Sequence, residues 1–180
     1  MKKALLIGLG IIVLGLIIFS GVRMYTKSFS PEAVAQITKT GLGINVKYSR
    51  PSKKGRLIFG RDQDNALSPY GKVWRTGANE ATLIEFQQDV LMLGQPVKAG
   101  TYSLYSVPGQ STWKIILNAE TGQWGTEYND GKNVLTVEVP IRIRHTVQEQ
   151  FNIYFEEVPE GVNMILSWDQ TEAVVPFTHK

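Results

Sequence analysis

The sequence predicts an all-β domain, an antiparallel β-sandwich or jelly-roll-like fold, preceded by one N-terminal transmembrane helix that acts as a signal anchor. Three observations lead to this prediction. After residue 27, apolar side chains recur at every second position in short segments separated by turn residues. Seventeen glycines, eight prolines and 10% aromatic residues are typical of a strand-and-turn protein. The first 27 residues contain one long uncharged apolar stretch.

The apolar stretch covers residues 4–22 and has basic residues on both flanks, Lys2 and Lys3 before it and Arg23 and Lys27 after it. Its 19 residues, if helical, span roughly 28 Å, close to the ~30 Å hydrocarbon thickness of a bilayer. A cleaved signal peptide is the alternative. We favour the anchor, because the stretch exceeds the usual ~7–15 residues of a signal core and no clear A-x-A cleavage site lies after it.

We therefore expect residues 1–29 to form a membrane anchor and linker, and residues 30–180 to form the β-sandwich domain. The anchor contacts the bilayer through residues 4–22. Bases on both flanks discriminate weakly under the positive-inside rule. We place the domain outside the cytoplasm, in the periplasm or at the cell surface, because short N-terminal signals usually direct export of the downstream chain. The chain has no cysteine, so its core must suffice without disulfides.

The sequence pI of about 9.1 invites a nucleic-acid-binding hypothesis, but the distribution of charge excludes it. Four of the 19 basic residues lie in residues 1–27, which leaves 15 basic against 16 acidic residues in the rest of the chain. Binding to a phosphate backbone relies on a strongly positive surface. We therefore expect no nucleic-acid partner, and the sequence indicates no particular protein partner.

The strands follow in chain order. Residues 33–38 alternate like a strand, although Ser30-Pro31-Glu32 would also cap a short helix, and we favour the strand. Pro140 marks an edge or a bend. Turns are expected at 108–111, 129–132 and 159–161. Further strands are expected at 44–48, 82–86, 101–107, 113–118, 134–144, 151–155, 164–168 and 173–177.

Residues 49–80 interrupt this pattern with a long, loop-like segment that alternates poorly. Long ordered loops on a β scaffold are where binding and catalysis tend to occur. The run PYGKVWRTGANEAT at 69–82, with AGTYSL at 99–104 and WKIILN at 113–118, resembles the bacterial family known as domain of unknown function 2911. The resemblance covers roughly residues 30–177. It implies an exported, β-rich protein and transfers no catalytic residue.

The same segment concentrates positive charge, with eight bases against two acids between Lys47 and Arg75. One interpretation is an anion site, because arginine binds carboxylate or phosphate bidentately and aromatic rings stack on sugars or bases. The candidate ligand-binding residues are Arg56, Tyr70, Trp74, Arg75 and Asn79. The alternative is a set of structural ion pairs with the ten acids that lie beyond residue 119.

Other chemistry has weaker support. The sequence Asp62-Gln63-Asp64-Asn65 lacks the glycine and the final glutamate of a calcium loop, and the two histidines, His145 and His179, form no metal motif. We therefore predict no metal and no cofactor. The tryptophans are better explained as core than as a glycan platform.

Three functions remain open from the sequence. The preferred hypothesis is a binding module for an anionic or sugar-like ligand. The second is a hydrolase or lyase that uses Glu80, a weak catalytic candidate, together with Arg56 and Arg75. The third is a structural envelope protein without a small ligand.

Overall fold

The structure is a computed structural model that describes residues 2–39 and 41–180, with side chains from residue 8 onward. The predicted basic flank at Lys2 and Lys3 therefore lies outside the described side chains. One long helix, α1, spans Lys2–Ser28. The strands of the described chain are β1 (Glu32–Lys39), β2 (Leu42–Ser49), β3 (Phe59–Gly60), β4 (Ser68–Pro69), β5 (Thr82–Phe86), β6 (Val90–Met92), β7 (Gln95–Val97), β8 (Gly100–Val107), β9 (Thr112–Asn118), β10 (Asn133–Val158) and β11 (Gly161–His179).

The helix α1 is long and apolar enough to cross a membrane. Its part from Gly8 to Ser28 has 21 residues and contains an 18-residue stretch with a mean hydropathy of 1.9, none of which is buried against the rest of the protein. Signal sequences near an N-terminus share these properties. The exposed side chains of Ile12, Ile17 and Ile18 point to different sides of the helix, so residues 8–22 of α1 have no charged face. By length and composition, α1 is thus consistent with either a membrane span or a signal sequence.

Nine strands form one sheet in the order β1-β2-β5-β8-β9-β10-β11-β6-β7, and every pair of neighbours is antiparallel. The predicted all-β, antiparallel class is thus confirmed. β10 pairs with β9 as far as Pro140 and with β11 from Ile141 onward. Proline has no N–H to donate, which suits a position where one ladder ends and another begins.

The two halves of the sheet face each other across one core. The ring centres of Phe86 and Phe177 are 5.5 Å apart, and those of Tyr48 and Phe151 are 5.6 Å apart. The Tyr48 hydroxyl also accepts a hydrogen bond from the backbone N–H of Ile153 at 2.9 Å. This contact ties β2 to the second half of β10. Every second residue of β2 points into the core, as the alternation predicts.

Most strand predictions are confirmed, and the differences have local causes. Residues 32–39 form a strand, paired with β2 along their whole length. The strands predicted at 134–144 and 151–155 merge into β10, whose register shifts between Ile143 and Asn152 hide its continuity in the sequence. The strands at 164–168 and 173–177 likewise merge into β11. The β6–β7 hairpin was not among the predicted strands; its turn is Leu93-Gly94, with φ of 48° and 75°.

The irregular segment at 49–80 contains two two-residue strands, β3 and β4, paired in parallel, and one short 3₁₀ turn at Asp62–Asp64. Phe59 anchors it, with its ring centre 4.6 Å from that of Trp113 and 5.7 Å from that of Trp74. The segment is therefore an ordered cap on the sandwich.

Candidate functional site

The loop between Trp74 and β5 is a tightly held turn. Thr76 has a φ of 51° and Asn79 a φ of 61°, both in the left-handed region. Such a φ is unusual for a β-branched residue such as threonine. Gly77 has a φ of 153°, and a Cβ there would lie 3.0 Å from the carbonyl oxygen of Ser49. The turn thus needs glycine at this position.

Hydrogen bonds hold this strained turn in place. The Trp74 indole N–H donates to the carbonyl of Gly77 at 3.2 Å, and the Thr82 hydroxyl donates to the carbonyl of Thr76 at 2.7 Å. The hydroxyls of Thr76 and Ser106 are 3.0 Å apart. Backbone strain persists where surrounding contacts over-determine it, and such positions cluster at ligand sites. The turn therefore presents Arg75 and Asn79 in a defined geometry.

A cavity of about 380 Å³ opens beside this turn. Its wall contains three cationic side chains, those of Lys54, Arg56 and Arg75, and no acidic side chain among the described residues. Trp74 and Trp168 form part of its floor. Both indoles belong to the core, since Trp74 is 8% exposed and Trp168 is 1% exposed. The two rings also stack on each other with centres 5.6 Å apart, and because both are buried, neither offers a free face to a sugar.

Arg75 is the least compensated cation of the cavity. Its side chain is half-buried and has no hydrogen bond or ion pair within the described part of the chain. Its stem lies against Gly125, where a Cβ would be 2.5 Å from Arg75 Cδ. Burial lowers the pKa of Arg75, and Tyr105 offsets part of that shift. The guanidinium stays charged at neutral pH, so its partial desolvation favours an anionic partner.

Arg56 and Lys54 complete the positive wall. The guanidinium of Arg56 donates to the backbone carbonyls of Ser52 and Lys53, at 2.5 and 3.0 Å, and it has no ion pair with a carboxylate of the described residues. The ammonium of Lys54 lies 5.0 Å from the ring centre of Phe29. The backbone N–H of Lys54, but not its ammonium, is bound by the carboxylate of Glu149 at 2.8 Å.

Four of the six candidate residues predicted from the sequence meet at this cavity: Arg56, Trp74, Arg75 and Asn79. Asn79 is buried, and its amide lies 3.5 Å from the carbonyl oxygen of Ser30. Tyr70 packs against the core instead of lining the cavity. Trp74 is a core residue whose edge reaches the cavity. The sequence did not single out Lys54 or Phe29, because only the fold brings them to the wall.

Glu80 lies outside the cavity, against the end of α1. Its carboxylate is 2.9 Å from the guanidinium of Arg23 and 2.8 Å from the ammonium of Lys27. Burial opposes ionisation of Glu80, but the hydrogen bonds from Lys27 and Arg23 prevail and lower its pKa to about 2. A carboxylate held in this way is a poor general base at neutral pH. The geometry gives no support to Glu80 acting with Arg56 and Arg75.

The ion-pair interpretation expected the basic segment to pair with the acids beyond residue 119, and among the described residues only Lys53 does so. Arg50 donates to the backbone carbonyl of Phe151 at 3.1 Å, and the other cations outside the cavity pair with nearer acids. Lys53 pairs with Asp169 at 2.5 Å, the one of these contacts that reaches a C-terminal strand. The remaining pairs are Lys47–Glu32 at 3.6 Å, Arg61–Asp64 at 2.8 Å and Lys72–Asp62 at 2.6 Å. Asp62 and Asp64 thus face cations, and His145 is exposed. Within the described residues, no group of three or more possible ligands could hold a metal ion.

Fold and cavity together define a protein class: an antiparallel β-sandwich that follows an apolar N-terminal helix and has a cationic cavity at one end. The chain belongs to the family described as Protein of unknown function (DUF2911), whose model matches residues 30–177. The matched range begins just after α1 and ends at Phe177 in β11, so it covers the β domain and leaves out the helix. No curated protein and no solved structure matches the chain significantly.

Proposed function

We propose that the domain is a binding module for an anionic ligand, which occupies the cavity beside Arg75. The observation that carries the proposal is the uncompensated charge of Lys54, Arg56 and Arg75 in one cavity wall. An anion that enters there meets a free guanidinium able to bind it bidentately. The absence of an open tryptophan face at the cavity favours charge over sugar stacking as the basis of recognition.

A neighbouring hollow has a different balance of charge, which supports the choice of the cavity. The hollow, of about 170 Å³, is lined by Lys27, Lys47, Glu32 and Glu80. Its two cations pair with its two carboxylates at distances from 2.8 to 3.6 Å. The charges in that hollow neutralise one another, whereas the three cations of the cavity wall have no ion pair among the described residues.

We further propose that α1 remains attached as a single-pass membrane anchor, with the sandwich outside the cytoplasm. The exposed apolar surface of α1 supports this arrangement, because exposing so much apolar surface to water would be energetically unfavourable. Alkaline extraction should leave the chain in the membrane fraction with an N-terminal tag intact. A reporter that is active only outside the cytoplasm should work when fused to the C-terminus; a cleaved tag or a silent reporter would contradict this arrangement.

The ligand proposal is tested by thermal unfolding of the full chain in a neutral, phosphate-free detergent. Glycerol phosphate, sulfate and citrate serve as probes, with neutral sugars for comparison. A ligand that binds only the folded state raises the Tm. We expect at least one anion to raise the Tm of the wild type and of Arg61→Gln, whose arginine is exposed and does not line the cavity. Arg75→Gln should lose the shift. No shift from any anion would favour a structural role instead.

A further inference from the structure

We infer that the anion held in the cavity is the phosphate of an anionic membrane lipid headgroup, one that has no cationic group beside the phosphate, an inference that rests on the proposed function and on the anchor. The cavity wall begins where α1 ends, because Phe29 and Ser30 line it and directly follow the helix. Their backbone N–H groups donate to the carbonyls of Thr26 and Lys27, at 3.3 and 3.0 Å. The wall thus continues the last helical turn without a slack linker.

The position of Phe29 along the chain places the cavity close to the headgroups. The uncharged stretch ends at Val22, seven residues before Phe29. Seven helical residues advance about 10 Å, and the headgroup layer extends roughly 5–8 Å beyond the hydrocarbon on each side. Phe29 therefore lies about 2–5 Å beyond that layer, a gap that a side chain as long as that of Lys54 can span.

A second part of the domain meets the same end of α1. A hollow of about 470 Å³ lies between the last turns of the helix, including Phe19 and Val22, and the loop 122–127. In this loop, the Trp124 ring centre lies 5.3 Å from the Arg23 guanidinium carbon. Tryptophan is favoured at the membrane–water interface. The loop adjoins the cavity through Gly125, which packs against Arg75.

The cavity has the size and the polar groups that a phosphodiester needs. Its volume of about 380 Å³ is within the usual range of small-molecule sites and accommodates a phosphate with its glycerol. Arg75 supplies an unpaired guanidinium and Lys54 a rim charge. Ser68, 3% exposed, also forms part of the wall, and its buried Oγ has no hydrogen-bond partner within the described chain. An unsatisfied buried hydroxyl is costly, and a ligand oxygen would satisfy it.

The test uses the full chain in nanodiscs, either of phosphatidylcholine alone or with one third phosphatidylglycerol. We expect the anionic lipid to raise the wild-type Tm by about 5–10 °C. Arg75→Gln should lose this rise, and Lys54→Gln, altered only at an exposed side chain, should lose part of it. Arg61→Gln should keep it. Lys54→Gln keeps the test decisive if Arg75→Gln folds poorly.

Soluble glycerol phosphate separates the two sources of the same phosphate chemistry. It should raise the Tm in phosphatidylcholine discs but add little in phosphatidylglycerol discs, where the lipid already fills the cavity. A rise with glycerol phosphate and none with the anionic lipid would overturn the lipid inference and leave the proposed function standing. No rise with either would overturn both. A lipid-induced rise that persists in Arg75→Gln and Lys54→Gln would show surface attraction instead of the cavity.

Discussion

The carboxylate of Glu80 lies 2.9 Å from the guanidinium of Arg23, a residue 57 positions earlier in the chain. Arg23 belongs to the last turns of α1, and Glu80 precedes β5. The ammonium of Lys27, one turn further along α1, lies 2.8 Å from the same carboxylate. One side chain therefore docks the helix end onto the domain, beside the candidate cavity.

Glu80→Gln should loosen this docking. Partly exposed ion pairs contribute about 0.2–1 kcal/mol each, so we expect a loss of roughly 1 kcal/mol in the free energy of unfolding. Hydrogen exchange should rise selectively in residues 24–30. Glu85→Gln is the matched control, because Glu85 is exposed and has no ion pair among the described residues. Equal exchange in both variants would show that Glu80 does not hold α1.

The docking should also depend on pH with a defined sign. The pKa of Glu80 is lowered from 4.5 to about 2 in the folded protein. A depressed pKa contributes stability that is complete above the unfolded value and is lost as pH falls towards the folded value. The stability difference between wild type and Glu80→Gln should therefore be constant above about pH 4.5 and shrink between pH 4.5 and 2. Denaturant titrations at several pH values measure it, and a difference that grows on acidification would refute the assignment.

Gly125→Ala should displace Arg75 while preserving the fold. The added Cβ would lie 2.5 Å from Arg75 Cδ and 3.0 Å from the carbonyl oxygen of Asn79. Overpacking of this kind costs about 1–3 kcal/mol. We expect the anion-induced rise in Tm to fall sharply. In Gly21→Ala, nothing lies within 4 Å of the new Cβ, so neither the stability of the domain nor the anion-induced rise in Tm should fall. An unaltered anion response in Gly125→Ala would show that the position of Arg75 is unimportant.

Tyr48→Phe should weaken the contact between β2 and β10. The substitution leaves the N–H of Ile153 without its 2.9 Å acceptor. A buried donor without a partner costs about 1–3 kcal/mol. Amide exchange at Ile153 should accelerate accordingly. Tyr70→Phe provides the comparison, since no hydrogen bond of the Tyr70 hydroxyl occurs among the described residues. If the two variants were equally stable, the hydroxyl of Tyr48 would not contribute to closing the sandwich.

The sequence alone was sufficient for the class of fold, the apolar helix and the irregular cap. These depend on local periodicity: Ile44, Val46 and Tyr48 alternate with polar residues, and burying them requires a sheet whatever its partners. The sequence pattern did not reveal that strands merge into β10 and β11. In β10, bulges between Ile143 and Asn152 break the alternation that marks a continuous strand.

Which charges are neutralised was decided only by the tertiary structure. Lys53 and Lys54 are adjacent, yet Lys53 meets Asp169, 116 positions away, while Lys54 lines the cavity. Arg75 and Glu80 were expected to share a site, but the turn through Thr76 and Gly77 sends them to different surfaces. Pairing between charges depends on distances set by the packed sheets, and no pattern of neighbouring residues encodes those distances.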